Sequence, residues 1–263
     1  SGGSFSEVVD YAGRNDAGFV ALGVEGRTGI DALIVKDGQS TELADLAGKT
    51  IGVKGAITPS VAAMLKKAGL TEGTDYQTAL LDGFDPKVHI AIPEIIGFPG
   101  FKSNEPLQLT AAGTPFKLYD PADYDVPGSF GVLYTNSTFL SDFPTAAEDF
   151  MRAAMMGLAD ALADPTAAAD IAVDMINANG NALFLSPEGE VARWAVETTL
   201  ISESTASDLP IGVPDIGLLE NEVSTYAEIG LFDGQVPDIT TVVNLTLVQA
   251  LYDDNAKVIW PST

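Results

Sequence analysis

The sequence predicts an α/β protein, and three observations support that prediction. In the first half of the chain, short β-like runs alternate with helical segments, as they do where helices connect the strands of a parallel sheet. From Pro144 onward, helices follow one another. The chain has 263 residues, which corresponds to one or two domains at about 150 residues per domain, and 46% of its residues are hydrophobic, enough to form a buried core.

The predicted strands are short apolar runs bounded by turn-forming residues. In chain order they are residues 19–24, 30–35, 49–53, 76–81, 115–119 and 130–135. Residues 120–129 contain several turn formers and no apolar periodicity, so they are interpreted as a connection between two parts of the molecule.

The predicted helices are residues 5–11, 61–69, 105–112, 144–164, 166–177, 187–201 and 214–229. The second has the clearest boundaries, because Thr58 and Ser60 supply hydroxyls at its start and Gly69 suits its end. The order of strand, short loop and helix over residues 49–69 is typical of a parallel sheet.

The composition is strongly acidic. Lysine and arginine number 13 against 37 aspartates and glutamates, which gives a formal net charge of −24. A potential this negative repels nucleic-acid phosphates and anionic membrane surfaces, and no apolar run approaches the roughly 18 residues of a membrane-spanning helix. We therefore expect no nucleic-acid partner and no direct membrane insertion. Ten of the 13 bases lie before residue 118, which indicates two surfaces of different charge. Solubility is the simplest explanation of the acidic surface.

The sequence lacks the residues on which several kinds of chemistry depend. It has no cysteine and a single histidine, His89, so we expect no disulfide, no metal site, and no cysteine- or histidine-based catalysis. It also lacks the glycine-rich loops that bind nucleotide phosphates, and we expect no cofactor. Close carboxylate pairs such as Asp82 and Asp85 fall in turns or helix starts, where local hydrogen bonding explains them.

Two short segments are candidates for binding a small molecule, each with a structural alternative. Residues 55–60 (GAITPS) join a strand to a helix, so free N–H groups and the hydroxyls of Thr58 and Ser60 meet at the positive end of the helix dipole. A simple helix cap is the alternative. Residues 24–29 (VEGRTG) place Arg27 and Thr28 at the end of an apolar strand, where ligands of open α/β sheets lie, although a solvated turn explains them equally well.

A third candidate, residues 97–106 (GFPGFKSNEP), combines two aromatic rings with a cation, an amide and a carboxylate. Its glycines and prolines predict a loop. The combination suits a flat polar ligand that stacks on a ring and is held at its edge. The residues concerned are Phe98, Phe101, Lys102, Asn104 and Glu105. In the structural alternative, the rings fill the core and Glu105 caps a helix.

Several motifs resemble those of a known protein family. In chain order they are residues 45–53 (DLAGKTIGV), 102–106 (KSNEP), 134–136 (YTN) and 257–261 (KVIWP). Together they resemble periplasmic substrate-binding proteins of ABC importers, in particular the branch related to thiamine-pyrimidine and sulfonate binders. The resemblance covers nearly the whole chain.

The resemblance implies a two-lobed periplasmic-binding-protein type II fold, in which two α/β lobes close by hinge bending on a ligand in the cleft between them. It places residues 1–43 and 129–263 in a larger lobe and residues 44–128 in a smaller one, with hinge crossings near 40–45 and 126–131. Such proteins begin with a strand-helix-strand unit that has no counterpart here, so the fold is expected to be N-terminally incomplete. We expect an exposed sheet edge near residues 20–24, covered by another chain or by rearrangement.

The implied function is that of an extracytoplasmic solute-binding protein, periplasmic or extracellular, with lipid anchoring of the full-length form left open. Its partners would be the membrane subunits of an ABC importer and a small polar or heteroaromatic ligand of the vitamin-precursor, flavin or sulfonate class. Arg27 or Ser129 would meet an anionic or carbonyl group of the ligand. The residues expected to contact it are Arg27, Thr28, Thr58, Ser60, Phe98, Phe101, Lys102, Asn104, Glu105 and Ser129.

Two alternatives remain open at this point. One is an enzyme of cofactor biosynthesis similar to the pyrimidine synthases, in which His89 and nearby carboxylates would bind a metal. Those enzymes use a cysteine-rich motif and active-site histidines that this sequence lacks. The other is a ligand-sensing domain of a larger signalling protein. Because a binding protein needs no reactive group, we expect no enzymatic activity.

Overall fold

The structure is a computed structural model that describes residues 3–15, 18–179, 186–203, 209–234 and 236–260. The strands in these ranges are β1 (Phe19–Gly26), β2 (Asp31–Lys36), β3 (Thr50–Val53), β4 (Gln77–Leu80), β5 (Gly97–Phe101), β6 (Phe116–Tyr119) and β7 (Phe130–Asn136). The helices are α1 (Phe5–Asn15), α2 (Pro59–Lys67), α3 (Pro86–Ala91), α4 (Glu105–Ala111), α5 (Ser137–Asp142), α6 (Pro144–Ala163), α7 (Pro165–Asn179), α8 (Pro187–Glu203), α9 (Ile216–Glu228) and α10 (Leu245–Gln249).

The predicted α/β class is confirmed, and every predicted strand and helix has a counterpart. Sequence reasoning missed α3, α5 and α10, which have only five or six residues each and are too short for a helical period to show. It also missed β5, which was expected to be a loop. None of the helices within the described ranges is long and apolar enough to span a membrane.

The larger sheet has five strands in the order β4-β3-β5-β2-β6. β3 runs parallel to β4 and β5, whereas β2 is antiparallel to β5 and β6. The expectation of a parallel sheet is therefore corrected to a mixed sheet. The strands approach closely at Gly97, where a Cβ atom would lie 2.1 Å from the carbonyl oxygen of Ile34. Glycine is thus required inside β5, and its presence there does not mark a loop.

The chain passes between its two sheets at residues 27–30 and 120–129. The first of these differs from the crossing expected near residues 40–45, which instead join β2 to β3 within the larger sheet. The placement of β2 with residues 1–43 in a separate lobe is corrected as well, because its backbone hydrogen bonds go to β5 and β6. The division of the remaining chain into two lobes stays a prediction.

The smaller sheet pairs β1 antiparallel with β7. On the other edge of β1, the Ala21 N–H donates to the Val242 carbonyl at 2.7 Å, and the Asn244 N–H donates to the Ala21 carbonyl at 3.0 Å. The Val24 N–H donates to the Gly212 carbonyl at 2.9 Å. The expectation of an exposed edge here is therefore wrong, because later segments of the same chain supply partners for these backbone groups.

Three clusters of buried apolar side chains hold the elements together. One lies between one face of the larger sheet and the helices α1, α2 and α9, with Leu33 and Tyr226 among its fully buried members. A second packs α6 against the smaller sheet through Leu22 and Met151. The third covers the opposite face of the larger sheet with α3 and α4. Both faces of the larger sheet are thus covered.

Candidate functional site

A cavity of about 330 Å³ lies at the edge of the larger sheet. β3 and β5 end at this edge, and α2 and α4 begin beside it. The carboxyl ends of parallel strands are the usual ligand position in an open α/β sheet. The residues that line the cavity are Asp31, Lys54, Ala56, Thr58, Phe84, Pro99, Gly100, Phe101, Asn104 and Glu105.

Asp31, the first residue of β2, contributes one carboxylate to the cavity. Ser60 Oγ donates to Asp31 Oδ2 at 2.8 Å, which holds the carboxylate against the first turn of α2. Burial raises the pKa of Asp31 from 3.8 to about 6, and the hydrogen bond from Ser60 opposes this rise. At neutral pH the cavity therefore contains a carboxylate that is mostly ionised although its surroundings disfavour the charge.

Glu105, the first residue of α4, contributes a second carboxylate. One of its oxygens accepts from the Phe101 N–H at 2.8 Å, and the other lies 3.2 Å from Lys54 Nζ. The same Lys54 ammonium lies 4.9 Å from the centre of the Phe84 ring, within the range of a cation–π contact. Lys54 is therefore held between a carboxylate and an aromatic face.

Two aromatic rings at the cavity leave much of their surface open. Phe84 is 68% exposed and Phe101 is 48% exposed, which is unusual for large apolar side chains and makes both available to stack on a ligand. Thr58 Oγ1 is buried and has no hydrogen-bond partner among the residues that the structure describes. Asn104 also lines the cavity, and its Oδ1 accepts from Gln108 Nε2 at 2.8 Å. The cavity thus combines apolar faces with hydrogen-bonding groups.

A larger groove, about 650 Å³ in volume, adjoins this cavity and shares Asn104 with it. The groove lies between α4 and α8, and its walls include Gln108 on one side and Arg193 on the other. Ser103 Oγ donates to Glu197 Oε1 at 2.8 Å and joins the two walls. The cavity and the groove therefore lie side by side, with Asn104 in the walls of both.

The structure brings two of the three predicted segments together. Residues 55–60 and 97–106 meet at the cavity, where Thr58, Phe101, Asn104 and Glu105 line it. Ser60 is buried and acts on the cavity through its hydrogen bond to Asp31. Sequence reasoning had no means to place these segments side by side, since 36 residues separate them.

Other predicted contact residues lie elsewhere. Phe98 is 1% exposed and packs in the cluster under α3 and α4, so a stacking role is open only to Phe101. The Lys102 ammonium pairs with Asp120 at 2.8 Å. Arg27 is buried and donates to the carbonyls of residues 210 and 213. None of these three residues is among those that line the cavity.

The two remaining predicted residues also lie outside the cavity. Ser129 is buried, and its hydroxyl accepts from the Phe5 N–H at 2.9 Å, which ties β7 to α1. Thr28 is partly exposed and is not among the cavity residues.

His89 has a structural environment. Its ring is buried, packs edge-on against Phe98, and has Nε2 2.9 Å from the Asp82 carbonyl oxygen. Among the residues described here, no group of three or more His, Asp or Glu side chains is arranged to hold a metal ion.

Sequence reasoning missed three cavity residues: Asp31, Lys54 and Phe84. Lys54 immediately follows the strand β3, so the rule that ligands meet the carboxyl ends of strands could have identified it. Asp31 lies at the start of an antiparallel strand, and Phe84 lies in a turn far along the chain. Neither position carries a sequence signal for the cavity.

Comparison with known proteins places the chain in a family and shows its fold. The chain is 26% identical over 195 residues to the riboflavin-binding protein RibY of Chloroflexus aurantiacus, covering 73% of this chain and 49% of RibY. The chain thus spans about half the length of the curated relative it matches.

Two solved structures are similar at low sequence identity. The periplasmic sulfonate-binding protein SsuA of Methylobacillus flagellatus KT superposes with a TM-score of 0.63 and 16% identity, over 94% of this chain and 72% of that one. The desulfurization enzyme DSZB superposes with a TM-score of 0.59 and 15% identity, over 95% and 84%. These similarities show a shared fold and confirm the expected likeness to periplasmic binding proteins. The model of the family described as NMT1/THI5 like matches residues 27–168, more than half of the chain, and the protein therefore belongs to the NMT1/THI5-like family.

Proposed function

We propose that this protein is an extracytoplasmic solute-binding protein that captures a small polar or heteroaromatic ligand for uptake by an ABC importer. The observation that carries the proposal is the cavity at the carboxyl ends of β3 and β5, where two exposed aromatic rings adjoin two carboxylates. Its volume suits a compound of one or two rings. The sulfonate-binding and riboflavin-binding relatives support a solute-binding role.

In this proposal each cavity residue has a distinct contact with the ligand. Phe101 stacks on a flat ring, and Phe84 closes over the opposite side. Thr58 supplies a hydroxyl that has no partner within the described ranges of the chain, and Asn104 supplies an amide where the cavity meets the groove. Glu105 fixes the position of Phe101 through its hydrogen bond to the Phe101 N–H.

The proposed partners follow from the relatives. We assign the protein to the periplasm or the cell exterior, where it would deliver its ligand to the membrane subunits of an importer. The name of the sulfonate-binding relative supports this location. Lipid anchoring of a full-length form is part of the same proposal.

The proposed role is binding without catalysis. The charged groups of the cavity already have partners in the protein, since Ser60 holds Asp31 and Lys54 holds Glu105. DSZB, which has a similar fold, is an enzyme, so catalysis is the alternative function to test. Recovery of the bound solute in chemically unchanged form from the purified protein distinguishes binding from turnover.

The direct test is to identify and titrate the natural solute. Mass spectrometry of the denatured protein, purified from its native host, identifies a co-purifying compound, and calorimetry measures its affinity alongside a panel of vitamin precursors, flavins and sulfonates. Phe101→Ala is expected to weaken binding by about tenfold, because it removes the stacking face.

Phe150→Ala provides the matched control, because Phe150 is an exposed phenylalanine on α6, remote from the cavity. It is expected to bind with wild-type affinity. Equal affinity of Phe101→Ala and wild type contradicts the assignment of this cavity, and the absence of any bound or titrating solute contradicts the function.

A further inference from the structure

We infer that the cavity takes flat aromatic solutes that present an amino, amidinium or ammonium group to Asp31, and that it rejects sulfonates and other anions. This inference rests on the function proposed above and names the chemical class of its ligand. Three features of the described residues support it. They are the charge of the lining residues, the partners that the nearby cations already have, and the contact of Asp31 in β2 with the first turn of α2.

The charged side chains of the cavity are two acids and one base. Asp31 and Glu105 are the acids, and Lys54 is the base. Lys54 is already engaged by Glu105 at 3.2 Å and by the Phe84 ring. An anionic ligand would therefore have to compete with Glu105 for the only ammonium among the lining residues.

The two other cations that the sequence predicted to contact the ligand are not among the residues that line the cavity. The Lys102 ammonium pairs with Asp120 at 2.8 Å, although it lies close enough to lower the pKa of Asp31. Arg27 donates to two backbone carbonyls. Among the described lining residues, a sulfonate would thus find no arginine, and the one lysine, Lys54, is already paired with Glu105.

The start of α2 is the one element that would ordinarily favour an anion, since helix N-termini attract negative charge. In this protein Ser60, in the first turn of α2, donates through its Oγ to Asp31 Oδ2 at 2.8 Å. A carboxylate of the protein itself therefore lies beside the start of this helix, where it repels an incoming anion and attracts a cation.

A cationic or amino-bearing ligand relieves the unfavourable environment of Asp31. Burial disfavours the ionised carboxylate and raises its pKa, and a donor placed beside it stabilises the ionised form. The open faces of Phe84 and Phe101 add favourable contact with a flat cation. A flat ring with an N–H-bearing group at one edge fits the rings and the carboxylate together.

Three probes of similar shape and different charge test the inference: benzamidine, benzamide and benzenesulfonate. Calorimetric titration of the whole protein, well above the pKa of Asp31, is expected to give benzamidine at least about tenfold tighter binding than benzenesulfonate, with benzamide between them. Benzenesulfonate binding as tightly as benzamidine overturns the inference, and so does the failure of all three probes to bind at millimolar concentration.

Two variants show whether Asp31 is responsible. Asp31→Asn is expected to remove most of the preference for benzamidine over benzamide, whereas Asp31→Glu keeps it. Asp149→Asn removes the same charge from an exposed position on α6. It is expected to leave the preference for benzamidine over benzamide intact. A preference that survives in Asp31→Asn, in protein shown by its thermal melt to be folded, overturns the role of Asp31.

The outcome is separable from that of the proposed function. A natural solute that proves to be a sulfonate leaves the solute-binding role standing and overturns this inference. A protein that binds no solute at all contradicts the proposed function first.

Discussion

The carboxylate of Asp31 illustrates how single residues are used in the cavity. It is placed in surroundings that disfavour its charge, and one hydroxyl, that of Ser60, compensates in part. A buried acid of this kind couples the stability of the fold to pH, because the folded and unfolded states bind its proton with different affinity.

We expect the contribution of Asp31 to the stability of the protein to fall as the pH rises from about 4 to about 6. The pKa of Asp31 is about 6 in the folded protein and 3.8 ordinarily, so the folded state binds the proton more tightly and loses this advantage as the proton leaves. In Asp31→Asn the free energy of unfolding, relative to wild type, should increase by about 2 kcal/mol across this range. Urea unfolding at a series of pH values measures the difference.

Asp149→Asn again serves as the control for this prediction, since its carboxylate is exposed. Its free energy of unfolding should follow the wild-type pH dependence. If the free energies of unfolding of Asp31→Asn and of wild type change with pH in the same way, Asp31 does not titrate as described.

Residue types around the cavity were predictable, but their directions were not. Phe101, Asn104 and Glu105 reach the cavity as the sequence suggested. Phe98, three residues before Phe101, is turned into the core instead. A hydroxyl, ring or cation in a short motif shows what chemistry is available, whereas its neighbours in the fold decide which way it points.

At the scale of elements, β5 shows how a sequence pattern can mislead. Its residues, Gly97–Phe101, contain two glycines and a proline, which ordinarily indicate a loop. In the structure this segment lies inside the larger sheet between β3 and β2. Glycine is present because the neighbouring backbone is too close for a side chain, not because the chain turns.

Gly97→Ala is expected to destabilise the protein by about 3 kcal/mol, because its Cβ would lie 2.1 Å from the Ile34 carbonyl oxygen. Gly157→Ala is the matched control: Gly157 lies within α6 and has nothing within 4 Å of the added atom. This second change should stabilise the protein by about 1 kcal/mol, since alanine is the better helix former. Chemical denaturation measures both changes. A Gly97→Ala variant as stable as wild type contradicts the close approach of β5 to the Ile34 backbone.

At the scale of the whole molecule, the net charge of −24 has consequences that no single contact reveals. Only three of the 13 bases lie after residue 117, so the helical second half carries a large excess of unpaired negative charge. Mutual repulsion between such charges favours expansion of the chain over the compact state.

We therefore expect salt to stabilise this protein. Raising sodium chloride from about 0.1 M to about 1 M shortens the screening length from about 10 Å to about 3 Å, which weakens the repulsion more than it weakens the few surface ion pairs. The midpoint of thermal unfolding should rise by several degrees, and potassium chloride should have the same effect. A midpoint that falls with salt contradicts the dominance of repulsion.

The sequence alone determined the α/β class, the boundaries of the longer helices, the acidic character, and two of the segments that form the cavity. These features depend on local propensity, periodicity and composition, which are properties of neighbouring residues. Only the tertiary structure decided that β2 joins the larger sheet, that Val242 and Asn244 cover the edge of β1, and that Asp31 lies against Ser60. Each of these depends on hydrogen bonds between residues far apart in the chain, for which a single sequence contains no local signal.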